Sequence, residues 1–130
     1  MEYLTVAFAT DDGTFIMGRH FGDALFYDVY RIGPDEAVFI TRITNSSAEE
    51  KMHADPEKAR GIGAILQKEG VHAAVSRVFG PNIRRIIKKF VCITVQHEDI
   101  QSNIRAVQMN FDLICRNREE GVSRELITFA

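Results

Sequence analysis

The chain has no tryptophan, only three prolines and only two cysteines in 130 residues. The two thiols, Cys92 and Cys115, form neither a CxxC pair nor a disulfide framework, which excludes a stapled small scaffold. No pair of histidines or cysteines has the spacing of a structural zinc site. No apolar run approaches the ~20 residues that cross a bilayer. The first apolar run, Leu4 to Ala9, follows no basic segment or cleavage signal, so the expectation is a cytoplasmic protein with no membrane partner. A glycine-rich phosphate loop and a dinucleotide fingerprint are both missing, and neither Ser76 nor Cys92 has a base at a known spacing. A large charge excess is missing too: 16 basic against 18 acidic residues give a net charge of −2. That balance argues against nucleic acid as a whole-domain partner.

What is present suits one globular α/β domain, with 45% hydrophobic and 26% charged residues. Residues 3–10 are short, apolar and β-branched, the pattern of a buried strand, and Asp11-Asp12-Gly13 halts it. An irregular loop over 14–22 leads to a second strand over 24–32. The turn residues Gly33-Pro34-Asp35-Glu36 then predict a hairpin with a third strand over 37–44. A polar loop over 45–55 precedes Asp55-Pro56, an N-cap followed by proline at the first helical position. The first helix carries Ala59, Ile62, Gly63 and Leu66 inward and ends at Gly70. A fourth strand (71–76) precedes a second helix from Gly80-Pro81-Asn82, apolar at Ile83, Ile86, Ile87 and Phe90. Its other side is filled by Arg84, Arg85, Lys88 and Lys89, and from Arg77 to His97 there are five basic residues and no acid. A fifth strand (91–95) and a third helix capped by Asp99, with Ile100, Ile104, Val107 and Phe111 inward, complete the pattern.

The order β-β-β-α-β-α-β-α implies a mixed five-stranded sheet with helices on its faces, strands one, four and five parallel and strand two antiparallel. The boundaries are a domain over 1–111 and a C-terminal extension over 112–130, in which 126–129 forms either an added strand or a docked or swapped tail.

Ligands of open α/β sheets sit beyond the carboxyl ends of the parallel strands. The loops leaving there are 11–22, 77–82 and 96–99, and the polar loop over 45–55 is expected to reach the same rim. Together they carry His20, His53, His97, Met17 and Met52, whose imidazole and thioether groups suit transition metals and sulfide-containing clusters. Asp11, Asp12 and Arg77 lie close by. The amides of Gly80 and Asn82, at a helix start, are suited to an anion. His72, at the far end of strand four, has a structural role.

Several segments have a family likeness. His20-Phe21-Gly22 followed by the aromatic strand Phe26-Tyr27-Asp28-Val29, the opening Ala9-Thr10-Asp11-Asp12-Gly13, and Gly70 to Val75 leading into Gly80-Pro81-Asn82 resemble the dinitrogenase iron–molybdenum cofactor biosynthesis family, the NifX-like group, over roughly 3–110. The resemblance implies a three-layer α/β/α ribonuclease-H-like fold. It also implies an accessory protein of nitrogen fixation that binds or carries an iron–molybdenum cofactor or another metal–sulfur cluster, with His20 as the favoured contact. Expected partners are cofactor-synthesis or acceptor proteins, with a homodimer left open. One departure stands out: the family's glycine-rich stretch before Gly-Pro is replaced by Ser76-Arg77-Val78-Phe79, so Arg77 and Phe79 are expected to narrow or charge the rim.

Two other classes compete with a non-enzymatic cofactor binder. A metal-dependent nuclease would use Asp11, Asp12 and Asp28, but such chemistry needs a further convergent carboxylate, and the position on strand four is Ser76-Arg77. A regulatory module would bind a partner through the basic helix face or the C-terminal tail.

Overall fold

The computed structural model describes residues 2–45, 61–81 and 83–129. The expected loop donors Met52 and His53, the Asp55-Pro56 helix start, Ala59 and Asn82 lie outside the described residues.

Among the described residues six strands form one sheet in the order β3-β2-β1-β4-β5-β6. They are β1 (Leu4–Thr10), β2 (Phe26–Ile32), β3 (Ala37–Thr44), β4 (Ala73–Ser76), β5 (Val91–Thr94) and β6 (Ile127–Thr128). The predicted hairpin is present: β2 runs antiparallel to both β1 and β3, and Gly33 donates to the Glu36 carbonyl at 2.8 Å across the turn. β4 is parallel to β1, and β5 is parallel to β4. The strand count exceeds the predicted five because β6 adds in parallel to β5. Two buried side chains, Ile127 and Phe129, hold it there, together with the Phe129 amide on the Thr94 carbonyl at 2.9 Å.

The described helices are α1 (Gly61–Lys68), α2 (Ile83–Ile86), α3 (Ile100–Met109) and α4 (Phe111–Glu119). Alternation along β1 assigns its faces, as a strand must. Leu4, Val6 and Phe8 face a core closed by Ile100, Ile104 and Val107 of α3 and by Phe111 and Ile114 of α4. Ala7 and Ala9 face the other core, with Ile62 and Leu66 of α1 and Phe90 after α2. Helices thus cover both faces of a mixed sheet.

The second helix is much shorter than its pattern predicts. Among the described residues of this segment Ile83–Ile86 is helical, although Ile83, Ile86 and Ile87 pack inward as expected and Arg84, Arg85, Lys88 and Lys89 are exposed. Like charges at Arg84/Lys88 and Arg85/Lys89, four residues apart, oppose its continuation. A single turn sums too few peptide dipoles to attract an anion, which removes the helix-start argument for Gly80. The C-terminal extension is structured from 112 to 129 as the rest of α4, a turn and β6, tied down by Asn117 Nδ2 on the Glu125 carbonyl at 2.9 Å and by Arg124 on the Ile87 carbonyl at 3.1 Å.

Candidate functional site: a rim built from three loops

The sheet order places a switch point between β1 and β4, because the chain leaves β1 towards β2 but leaves β4 towards β5. The loops that follow β1, β4 and β5 are joined there by main-chain hydrogen bonds. The Ile16 amide donates to the Glu98 carbonyl at 2.6 Å and the Ile100 amide to the Thr14 carbonyl at 2.9 Å. His20 pairs in parallel with Val78, and the Phe21 amide donates to the Val78 carbonyl at 2.8 Å.

That pairing sets His20 beside Gly80. Gly80 has φ of +77°, and a Cβ on it would lie 2.6 Å from Nδ1 and 2.7 Å from Cγ of His20. The imidazole therefore lies directly against a glycine that has no side chain to displace it, and it stays exposed to solvent. Sequence reasoning placed both residues on one rim, and the structure puts them in contact.

Beneath, the His20-Phe21-Gly22 segment is fixed by groups the sequence reading did not single out. Tyr27 Oη donates to the Phe21 carbonyl at 2.6 Å. The buried Asn45 donates through Nδ2 to the Gly22 and Ala24 carbonyls, both at 2.9 Å. Phe21 itself stacks on Phe79 with ring centroids 5.2 Å apart. Phe79 is thus a core residue under the loop, and the expectation that it would narrow the rim is corrected. A buried tyrosine on β2 and an asparagine ending β3 were the available signals, but nothing local to either shows that its partner is a loop carbonyl.

The other predicted residues divide. Met17 is 6% exposed in the core, and its Sδ accepts the Arg19 amide at 3.2 Å, so it is not a rim donor. Asp11 binds Arg19 at 2.8 Å and accepts the Leu25 amide at 3.0 Å. Asp12 accepts the amides of Thr14 at 2.8 Å and Phe15 at 2.9 Å, and the bond from Phe15, then that from Thr14, holds its carboxyl below the usual range. Both aspartates shape the loop. Asp28, the third acid of the nuclease alternative, is nearly buried and paired with Arg42 at 2.8 Å. His97 is exposed on the loop after β5, its carbonyl accepting Asn103 Nδ2 at 2.9 Å, and Asp99 caps α3 through the Ser102 amide as predicted. Arg77 is exposed, with its guanidinium along Gly18 and 3.8 Å from Glu98. Burial pushes the Cys92 thiol up to about 12, in keeping with an inert core residue. Among the described residues no three His, Cys, Asp or Glu side chains gather closely enough to hold a metal ion, and no helix is long and apolar enough to cross a membrane.

The family model for the dinitrogenase iron-molybdenum cofactor matches residues 2–110. The chain belongs to that family. Its fold is shared with a provisionally assigned dinitrogenase from Methanocaldococcus jannaschii, whose crystal structure aligns with a TM-score of 0.60 at 20% identity over 85% of this chain and 91% of that one. An NMR structure of a protein so described from Methanococcus jannaschii gives 0.57 at 20% identity over 85% and 92%. No curated protein matches the chain. The family associates the chain with the iron–molybdenum cofactor and its synthesis.

Proposed function

We propose that this protein binds an iron–molybdenum or related metal–sulfur cluster as cargo at the rim, with His20 as its protein ligand, and hands it on without catalysing a reaction. The observation that carries the proposal is the exposed imidazole set against Gly80 by the His20–Val78 pairing. An imidazole suits a transition metal, and a glycine beneath it lets a bulky cluster approach the main chain. Among the described residues the donor set fits cargo better than a resident ion: the accessible His20 imidazole, with His97 on the neighbouring loop, grips weakly enough for exchange. The acids that a nuclease would need are bound to amides or arginines. The strand order and the two helix layers support the ribonuclease-H-like assignment, and the family supports a role beside cofactor-synthesis or acceptor proteins in the cytoplasm.

Anaerobic titration with isolated iron–molybdenum cofactor, followed by its absorption spectrum, tests the assignment. Saturable binding is expected, and His20→Ala should weaken it by about tenfold or more, the scale seen when metal-site residues are removed. Equal binding by both proteins removes His20 from the site.

A further inference from the structure

The cofactor reading says where cargo sits; the charges around that place say what kind of cargo is accepted. Two arginines stand on the three loops, and they are held very differently. Arg19 is committed, 2.8 Å from Asp11 and 3.1 Å from the Asp23 carbonyl. Among the described residues Arg77 pairs with Glu98, at 3.8 Å, beyond hydrogen-bond range, and both side chains are solvated, at 39% and 68% exposure. Such a pair is weak and readily exchanged.

Its position is nevertheless fixed. Arg77 directly precedes Val78, the main-chain partner of His20. Its Nη1 passes 3.6 Å from where Gly18 would carry a Cβ, two residues before His20. Glu98 is anchored through its carbonyl by the Ile16 amide at 2.6 Å. The three loops carry Asp11, Asp12, Glu98 and Asp99 against these two arginines, and of the two it is Arg77 that is not held at hydrogen-bond distance by a described acid.

We propose that Arg77 and Glu98 form an exchangeable counter-ion pair that selects anionic cargo at the His20 rim. Arg77 leaves Glu98 to contact an arriving anion and supplies the preference for negative charge, while Glu98 competes for the guanidinium and so opposes retention of the anion and favours its release. The inference rests on the rim being the cargo site, and the test separates the two.

Tetrathiomolybdate, a molybdenum–sulfur dianion, and Co²⁺, a cation that imidazole accepts, serve as probes for the wild-type chain and for Arg77→Gln, Arg77→Lys, Glu98→Gln and His20→Ala. Loss of one partly exposed charge-assisted contact should weaken dianion binding in Arg77→Gln by about five- to tenfold, with Arg77→Lys intermediate. Glu98→Gln should tighten the dianion by about two- to threefold and weaken Co²⁺, because the local field becomes more positive. Raising salt should weaken the wild type more than Arg77→Gln. Unchanged dianion binding in Arg77→Gln, or both probes shifting in the same direction in both variants, overturns the pair. If His20→Ala alone loses binding, the counter-ion pair is refuted and the cofactor site stands. If His20→Ala binds both probes as the wild type does, the site itself is refuted.

Discussion

Replacing Gly80 by alanine separates the stability of the rim from its function. Two costs are built into the geometry. A non-glycine residue at φ of +77° pays roughly 1–2 kcal/mol for the left-handed conformation. The new Cβ would also stand 2.6 Å from Nδ1, 2.7 Å from Cγ and 3.1 Å from Cε1 of His20. Contact with Cγ, next to the chain, cannot be relieved by moving the ring tip, so the imidazole must rotate about χ1. Because the ring is exposed it can do so at little further cost. The net loss is therefore about 1–2 kcal/mol, a drop in the melting midpoint of roughly 3–10 °C for a chain of this size. Cluster binding should fall about as far as in His20→Ala. Gly80→Asn sharpens the test, since asparagine tolerates positive φ better but carries the same Cβ. It should be more stable than Gly80→Ala and bind equally poorly. Thermal unfolding by circular dichroism gives the first quantity, cluster titration the second, and the imidazole proton signals of His20 report the rotation. Both variants binding like the wild type, or leaving the His20 signals in place, would refute the claim that Gly80 positions the ring.

Asn45→Ala leaves the Gly22 and Ala24 carbonyls without the donor at 2.9 Å, which should cost about 1–3 kcal/mol. Faster amide exchange at Phe21 and Asp23 should accompany it, and unchanged protection there would show that the loop is held by other means. His72 should give the fold an acid-sensitive element. Its Nδ1 accepts the Thr5 amide at 3.0 Å, and burial, then the nearby Arg118, lowers its pKa. The unfolded chain takes up that proton first, so this contribution is complete above the ordinary histidine range and is lost as pH falls through the lowered folded value. Denaturant unfolding at pH values from about 7.5 down to about 5 should show a smaller decline for His72→Asn, whose Oδ1 can accept the same amide. Equal slopes would exclude His72.

Much of the fold was legible because hydrophobic period and turn chemistry are local. The run Leu4–Thr10, the Gly33–Glu36 hairpin turn and the Asp99 cap each announce themselves within a few residues. The second helix misled because its apolar spacing was genuine, yet repulsion among four cations leaves it one turn long. β6 was undecided because a two-residue strand is defined by its neighbour β5 and hardly at all by its own residues. At the rim, residue type pointed to His20 and Gly80. Met17 is instead buried with its sulfur on the Arg19 amide, and Asp11 and Asp12 are engaged by nearby amides or an arginine. Tyr27 and Asn45 escaped because their role is to meet main-chain carbonyls far along the chain.

The proposed carrier role sets opposed demands, which this rim would divide between main chain and side chains. If the loops ordered only on loading, each transfer would have to offset their conformational entropy, at roughly 1–2 kcal/mol per residue. The pairing of His20 with Val78 and of Ile16 with Glu98, with Tyr27 and Asn45 below, fixes the backbone beforehand. Preorganisation of that kind raises affinity without adding contacts. On that reading release depends on exposed groups above it, among them the His20 imidazole and the Arg77 guanidinium. Adding ligands to such a surface would tighten the grip and slow the hand-over, because affinity differences between related complexes appear mainly in dissociation. On the carrier reading a preformed frame with few exchangeable donors would resolve the conflict, and among the described residues Asp11, Asp12 and Met17 are committed to that frame.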